Sequence, residues 1–191
     1  MPTFKYDKIV RSLVPSLIEA GGGSVKDRGL TDAEAHKYLG EKVLEELVEV
    51  QQAPPKKRAE EFADLLDVSD AYFTATEVPS SEIAEQRKDE PAYAFGFVEL
   101  GNMALQAFEQ IQAVDYDHQP ERLAAFQGIV NAWIDVSGAS KSQINQIRHD
   151  KQRDKGSFGS PYHFIEEVYI PESDVDWVVY HREKGYEEVA A

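Results

Sequence analysis

The chain contains no cysteine, which excludes disulfides, thiolate metal sites and cysteine nucleophiles together. Positive charge is scarce: 20 Lys and Arg stand against 35 Asp and Glu, for a net charge of −15. A surface of that sign repels a phosphodiester backbone and argues against non-specific nucleic-acid binding. It leaves nucleotide ligands open, because a bound divalent cation inverts the local field. No apolar run approaches the roughly 20 residues that a membrane-spanning helix needs. The opening MPTFKYDKIVR also lacks the apolar core of a secretory signal. The expectation is a soluble, cytoplasmic protein with neither membrane nor nucleic acid as partner. His36, His118, His149, His163 and His181 show no HExxH-type spacing, so no zinc site is expected. Ser160 in GSFGSP is no nucleophile elbow, because G-x-S-x-G is absent.

The 191 residues, 42% of them hydrophobic, are enough for one domain with a core of its own. Residues 41–67, EKVLEELVEVQQAPPKKRAEEFADLLD, organise the rest. They read as two amphipathic helices joined by a turn. Glu46 and Glu49 are three apart on the first helix, and Glu61 and Asp64 are three apart on the second. Each pair therefore shares a side. Antiparallel packing would bring four carboxylates together, an arrangement that repels itself unless a cation sits among them. Oxygen donors without Cys or His suit a hard cation, Mg²⁺ or Mn²⁺. Leu39, Val43, Leu47 and Val50 form the apolar stripe of the first helix, with Glu46 about 20° from its edge at 100° per residue. On the second helix Phe62, Leu65, Leu66 and Phe73 face inward. Glu61 falls between Val68 and Tyr72, inside the apolar arc, where a Glu must be paired, protonated or metal-bound. The competing reading is a solvated charged hairpin in an acidic protein, where ExxE arises by chance.

Along the chain, residues 4–11 (FKYDKIVR) read as extended, followed by a helix with Leu13, Val14, Leu17 and Ile18 inward. Gly21, Gly22 and Gly23 cap it; no Gly-Lys-Ser/Thr follows to make them a phosphate loop. Thr31 and Glu34 form a capping box for a helix reaching about Gln52, broken by Pro54 and Pro55. Pro55 is placed as the first residue of the next helix, which runs to about Ala75. A shorter helix opens at Ser80 or Ser81, runs through Arg87 and is closed by Pro91. Helical spacing returns at Phe97, Leu100, Ala104, Phe108 and Ile111. It recurs after Pro120 with Leu123, Phe126, Val130 and Trp133 inward, and a short helix from Ser140 or Ser142 ends near Asp150. In residues 159–191, FIEEVYI reads as a short strand or extended segment, and Asp174 as the cap of a last helix ending near Gly185. The tail is otherwise irregular. Trp133 and Trp177 are read as packing residues.

The second half repeats the first at an ungapped shift of 61 residues. Leu39 and Gly40 fall on Leu100 and Gly101, Leu44 on Leu105, Gln51 on Gln112, Ala63 on Ala124, and Ala71 on Ala132. Ser81, Ile83, Arg87 and Asp89 fall on Ser142, Ile144, Arg148 and Asp150. The four carboxylates are lost as a set: Glu46 becomes Ala107, Glu49 Gln110, Glu61 Arg122, and Asp64 Ala125. A merely solvated face has no reason to change together while the apolar frame persists.

EELVE at residues 45–49, with EFAD at 61–64, resembles the EExxE…ExxD signature of the all-α NTP pyrophosphatases, the MazG-like superfamily. YDKIVRSLVPSLIEAGG and SKSQINQIRHDKQRDKGSF resemble the opening and closing segments of its phosphoribosyl-ATP pyrophosphohydrolase-like subgroup. Ser12, Leu13 and Ser157 depart from that subgroup's pattern. The resemblance covers residues 4–78 and 137–158, and what lies between looks like a degenerate second copy. It implies an all-α fold and hydrolysis of a nucleoside triphosphate to monophosphate and pyrophosphate, including the clearing of non-canonical (d)NTPs. It implies Mg²⁺, or Mn²⁺, held by Glu46, Glu49, Glu61 and Asp64. Glu45 is the first Glu of the signature, and Asp67 stands where the subgroup often has an acid, which makes it a candidate substrate-binding residue. Lys5, Lys8, Arg11, Lys151, Arg153 and Lys155 are candidate phosphate ligands, although Lys and Arg more often simply face water.

The expected architecture is a single all-α domain over residues 1–191, with pseudo-repeats at about 37–90 and 98–152. Two tandem hairpins close a four-helix bundle as a fused pseudo-dimer, flanked by short helices and the tail, in a monomer or a homodimer. Two rival functions stand beside the pyrophosphatase. One is a non-catalytic helical interaction protein whose acidic hairpin is a relic; the other is a phosphoribosyl-ATP pyrophosphohydrolase.

Overall fold

The computed structural model describes residues 1–86, 95–113 and 119–189. Arg87, Asp89, Pro91 and His118 lie outside them. The element order is β1 Thr3–Val10, α1 Val14–Ala20, β2 Ser24–Gly29, α2 Asp32–Gln52, α3 Arg58–Ala75, α4 Ser80–Gln86 and α5 Phe97–Gln112. It continues with α6 Gln119–Ser137, α7 Lys141–Lys155, β3 His163–Tyr169, α8 Val175–Glu183 and β4 Glu188–Val189. The chain is mostly helical, and the all-α expectation is corrected by a four-stranded sheet of order β2-β3-β1-β4. The residues divide into two compact units, Met1–Tyr38 with Lys151–Ala191, and Leu39–Asp150.

In the first unit β3 pairs antiparallel with both β1 and β2. β1 is rich in β-branched and aromatic residues, as a strand between two neighbours should be. Its buried residues, Phe4 and Ile9, are five apart, a spacing that would place them on opposite faces of a regular strand. The ladder shifts register between Lys5 and Lys8, and Asp7 takes φ 45°. This bulge returns Ile9 to the face of Phe4. Phe4, Ile18, Ile165, Val168, Ile170 and Val178 form the core beneath the sheet. β2, SVKDRG, is an edge strand, and its charged, barely alternating sequence suits an edge exposed to water.

In α1 only Pro15 and Ile18 are buried, while Leu13 and Leu17, expected inward, are exposed. A two-turn helix covers one stripe, and the stripe of Ile18 is the one turned to the core. Asp174 caps α8 as expected, accepting from the Trp177 N–H at 3.2 Å. The segments 11–13 and 155–157 lie side by side: Ser12 N–H donates to Ser157 O at 2.9 Å and Leu13 N–H to Lys155 O at 3.0 Å. The two flanking motifs are thus paired in space. Gly156, at φ 78°, ends α7, five residues beyond the expected stop, in the left-handed geometry that glycine adopts without a side-chain clash.

The second unit holds α3 to α6 together with most of α2 and α7. Leu39, Val43, Leu47 and Val50 are fully buried, as their spacing predicts. α3 begins at Arg58 rather than Pro55, because residues 54–57 close a turn in which Lys57 N–H donates to Pro54 O at 2.8 Å. The Arg58 guanidinium lies 3.7 Å from the centroid of the Phe97 ring and donates to Ser137 O at 3.1 Å. That ties the start of α3 to α5 and α6. Phe62 meets Trp133 edge-on at 5.3 Å, and Phe108 lies 5.0 Å from Tyr72 and 5.3 Å from Phe126.

Two helical glycines mark close approaches. A Cβ on Gly40 would lie 2.5 Å from Gln112 Nε2 and 3.3 Å from Tyr72 Cε2. One on Gly101 would lie 3.2 Å from Gln51 Nε2 and 2.7 Å from Trp133 Cζ2. The 61-residue shift carries Gly40 to Gly101, Gln51 to Gln112 and Tyr72 to Trp133, so these contacts exchange with one another.

Candidate metal centre

α2 and α3 turn acids toward one another as they bury their apolar stripes, Glu46 from the border of its stripe and Glu61 from between the buried Val68 and Tyr72. Donor oxygens of Glu46, Glu61 and Asp64 lie within 4.8 Å of one another. Glu46 is only 4% exposed, and its Oε2 has no hydrogen-bond partner among the described residues. A buried, unmatched carboxylate oxygen is costly. Burial pushes the Glu46 carboxyl up to about 7, with Asp64 and Glu49 adding to the effect against Lys42. Glu61 and Asp64 are half-buried, and Glu49 is exposed.

Glu49 is not one of the three clustered acids, yet its charge reaches Glu46, and the residues 61 positions on from Glu49 and Glu61 are themselves in contact. Arg122 Nη1 donates to Gln110 Oε1 at 2.7 Å. At the 61-residue shift those residues fall on Glu61 and Glu49. Glu61 and Glu49 are both acids, and when ionised they repel rather than pair.

The donor set is all oxygen, which fits Mg²⁺ or Mn²⁺. At Mg–O distances of about 2.1 Å, opposite ligands of one ion are about 4.2 Å apart. The 4.8 Å that bounds the observed separations is within about 1 Å of that distance.

Lys42 is the residue that reading the sequence missed. Its Nζ lies 2.6 Å from Glu46 Oε1 and 3.1 Å from Glu45 Oε2. Burial works against its charge, but Glu46 and Glu45 outweigh burial and hold the ammonium above its ordinary range. The signal was present as i,i+3 and i,i+4 spacing. Glu45, placed in the signature, is thus a partner of Lys42. Asp67 is buried and bonded through Oδ1 to Arg148 Nε at 2.6 Å, and Arg148 Nη2 reaches Asp70 at 2.5 Å. This joins α7 to α3, a structural clamp that the sequence reading did not assign.

The six candidate phosphate ligands belong to the other compact unit. Lys5 pairs with Asp7 at 3.1 Å, and Lys8 lies 5.2 Å from the Tyr186 ring centroid. Arg11 is buried over the Phe158 ring at 4.8 Å and donates to Gly156 O at 3.3 Å, which makes it a tie between the flanking segments. Arg153 pairs with Asp154, Lys151 is half-buried, and Lys155 is exposed.

Among the described residues, the helical unit brings together one all-oxygen cluster of carboxylates that could hold a metal ion. Comparison with protein-family models, with curated proteins and with solved structures returned no match in any of the three.

Proposed function

We propose that this chain is a Mg²⁺-dependent nucleoside triphosphate pyrophosphohydrolase of the MazG-like kind, releasing a nucleoside monophosphate and pyrophosphate. The observation that carries this reading is the buried, unpartnered Oε2 of Glu46 beside Glu61 and Asp64. The EELVE…EFAD signature, the pairing of both flanking motifs, and the loss of all four acids in the second copy support it. So does a fused pseudo-dimer, in which α2, α3, α5 and α6 form a four-helix core; the reciprocal Gly40 and Gly101 contacts favour that arrangement.

Glu46, Glu61 and Asp64 hold the ion, with Glu49 completing the set. When bound, the ion supplies charge neutralisation at the phosphates and an activated water. Lys42 holds Glu46 in place and offsets part of the acidic charge.

The test is pyrophosphate release from canonical and non-canonical (d)NTPs and from phosphoribosyl-ATP, with Mg²⁺ or Mn²⁺. Turnover is expected to fall at least about 100-fold in Glu61→Gln and in Asp64→Asn, since even outer-shell changes at metal sites cost 10- to 100-fold. Near wild-type turnover in either variant removes the assignment. One observation favours the second reading, a helical binding protein with a relic hairpin: Lys42 already supplies a cation to Glu46. That reading predicts no hydrolysis and no melting shift with millimolar Mg²⁺, whereas a site that binds metal only when folded raises the melting temperature.

A further inference from the structure

α3 carries a second set of residues away from the acids. Leu66, Ser69, Asp70 and Phe73 follow at three- and four-residue spacing, on a stripe roughly opposite Glu61 and Asp64 at 100° per residue. They form one wall of a cavity of about 290 Å³ between α3, α6 and α7. The facing wall on α6 includes Gln127, Val130, Asn131 and Ile134. The 61-residue shift carries the first four residues onto these four, one for one. The cavity therefore lies between repeat-related surfaces, but its chemistry is not symmetric: Ser69 faces the role of Val130, and Asp70 that of Asn131.

Its charged groups are spent on each other. Arg148 is bonded to Asp67 and Asp70, and Lys141 pairs with Asp135 at 2.6 Å. What remains for a ligand is neutral. Phe73, Val130 and Ile134 give apolar surface, and Asn131, Gln127 and Asn145 bring carboxamides. The Ser69 hydroxyl is buried, in a residue 4% exposed, with no hydrogen-bond partner among the described residues. A carboxamide offers donors and an acceptor together, which suits a flat ring whose edge alternates the two. The volume is at the lower end of small-molecule sites.

We propose that this cavity binds a neutral purine- or pyrimidine-like heterocycle, as free base or nucleoside, at a site separate from the carboxylate cluster. A phosphorylated ligand is disfavoured because both cations of the lining are already paired, Arg148 with Asp67 and Asp70 and Lys141 with Asp135. The proposal stands or falls independently of hydrolysis, since binding here requires no metal.

The test uses the full-length protein in excess chelator, with adenine, adenosine, guanosine, cytidine, uridine and thymidine as probes. Binding is followed by saturation-transfer NMR and calorimetry, with AMP and UMP as charged controls. At least one neutral probe is expected to bind at millimolar concentration or below. Asn131→Leu and Ser69→Ala should each weaken it at least tenfold while melting as cooperatively as wild type, and Glu61→Gln should leave it unchanged. Three results overturn the proposal: no neutral probe binds, binding survives both cavity variants, or binding is lost in Glu61→Gln. Equal or tighter binding of AMP or UMP than of their nucleosides overturns the neutral-ligand assignment.

Discussion

Glu46 holds an acid in a place where its charge is poorly supported, and this has a thermodynamic signature. Its carboxyl is raised from 4.5 to about 7 by burial and by Asp64 and Glu49. The folded state therefore binds this proton more tightly than the unfolded state does. That contribution to stability is fully present below about pH 4.5 and is lost as pH rises through about 7. At about 1.4 kcal/mol per pH unit, the window is worth up to about 3 kcal/mol. Metal-free protein should lose urea stability between about pH 5 and pH 8, and Glu46→Gln should flatten the decline. Mg²⁺ should stabilise more at the upper pH, because it requires the ionised carboxylate. If Glu46→Gln leaves the slope unchanged, Glu46 is not the strained acid. The border position of Glu46 was legible from the helical wheel. The Lys42 pairing was not singled out, because spacing permits an ion pair without requiring one. The Asp67–Arg148 bond links residues 81 apart, which no local pattern reveals.

At the scale of the elements, α2, α3, α5 and α6 were legible because each carries a long apolar stripe with turn signals at its ends. β2 was not: SVKDRG has neither alternation nor bulk, and only β3 beside it makes it a strand. β3, by contrast, has Phe164, Ile165 and Val168 to bury. The glycines of α2 and α5 separate two costs that sequence alone treats alike. Alanine in a helix interior is favoured over glycine by about 1 kcal/mol. At Gly40 the nearest atom to a new Cβ is the end of the Gln112 side chain, which can move aside. At Gly101 it is the fully buried Trp133 ring at 2.7 Å, and overpacking of that kind costs about 1–3 kcal/mol. Gly40→Ala should thus be within about 1 kcal/mol of wild type, while Gly101→Ala should be destabilised. Urea midpoints decide it, and Gly101→Ala proving as stable as Gly40→Ala would refute the close approach.

At the scale of the whole molecule, the glycine and glutamine positions matched at the 61-residue shift are the ones that meet in the structure, Gly40 at Gln112 and Gly101 at Gln51. A net charge of −15 works against compactness, so the apolar interior must outweigh self-repulsion, and Phe108 is where that can be probed. It is fully buried on α5 and lies against Tyr72 of α3 and Phe126 of α6. Phe108→Asp removes a large buried ring and places a carboxylate where neither neighbour offers it a cation. Loss of a buried Phe alone costs about 3–5 kcal/mol, and an unpaired buried charge adds to that. Because total stabilities are about 5–15 kcal/mol, the variant should be largely unfolded or melt far below wild type. It should lose the Mg²⁺ melting shift although it changes no acid of the site. Val98→Asp, on the same helix and 62% exposed, adds the same charge outside the core and should stay within about 0.5 kcal/mol. If both variants melt alike, the loss is one of net charge, and α5 does not hold the hairpin of α2 and α3 in place. If Phe108→Asp alone collapses and takes metal binding with it, α5 and α6 serve to fold the hairpin that carries Glu46, Glu61 and Asp64.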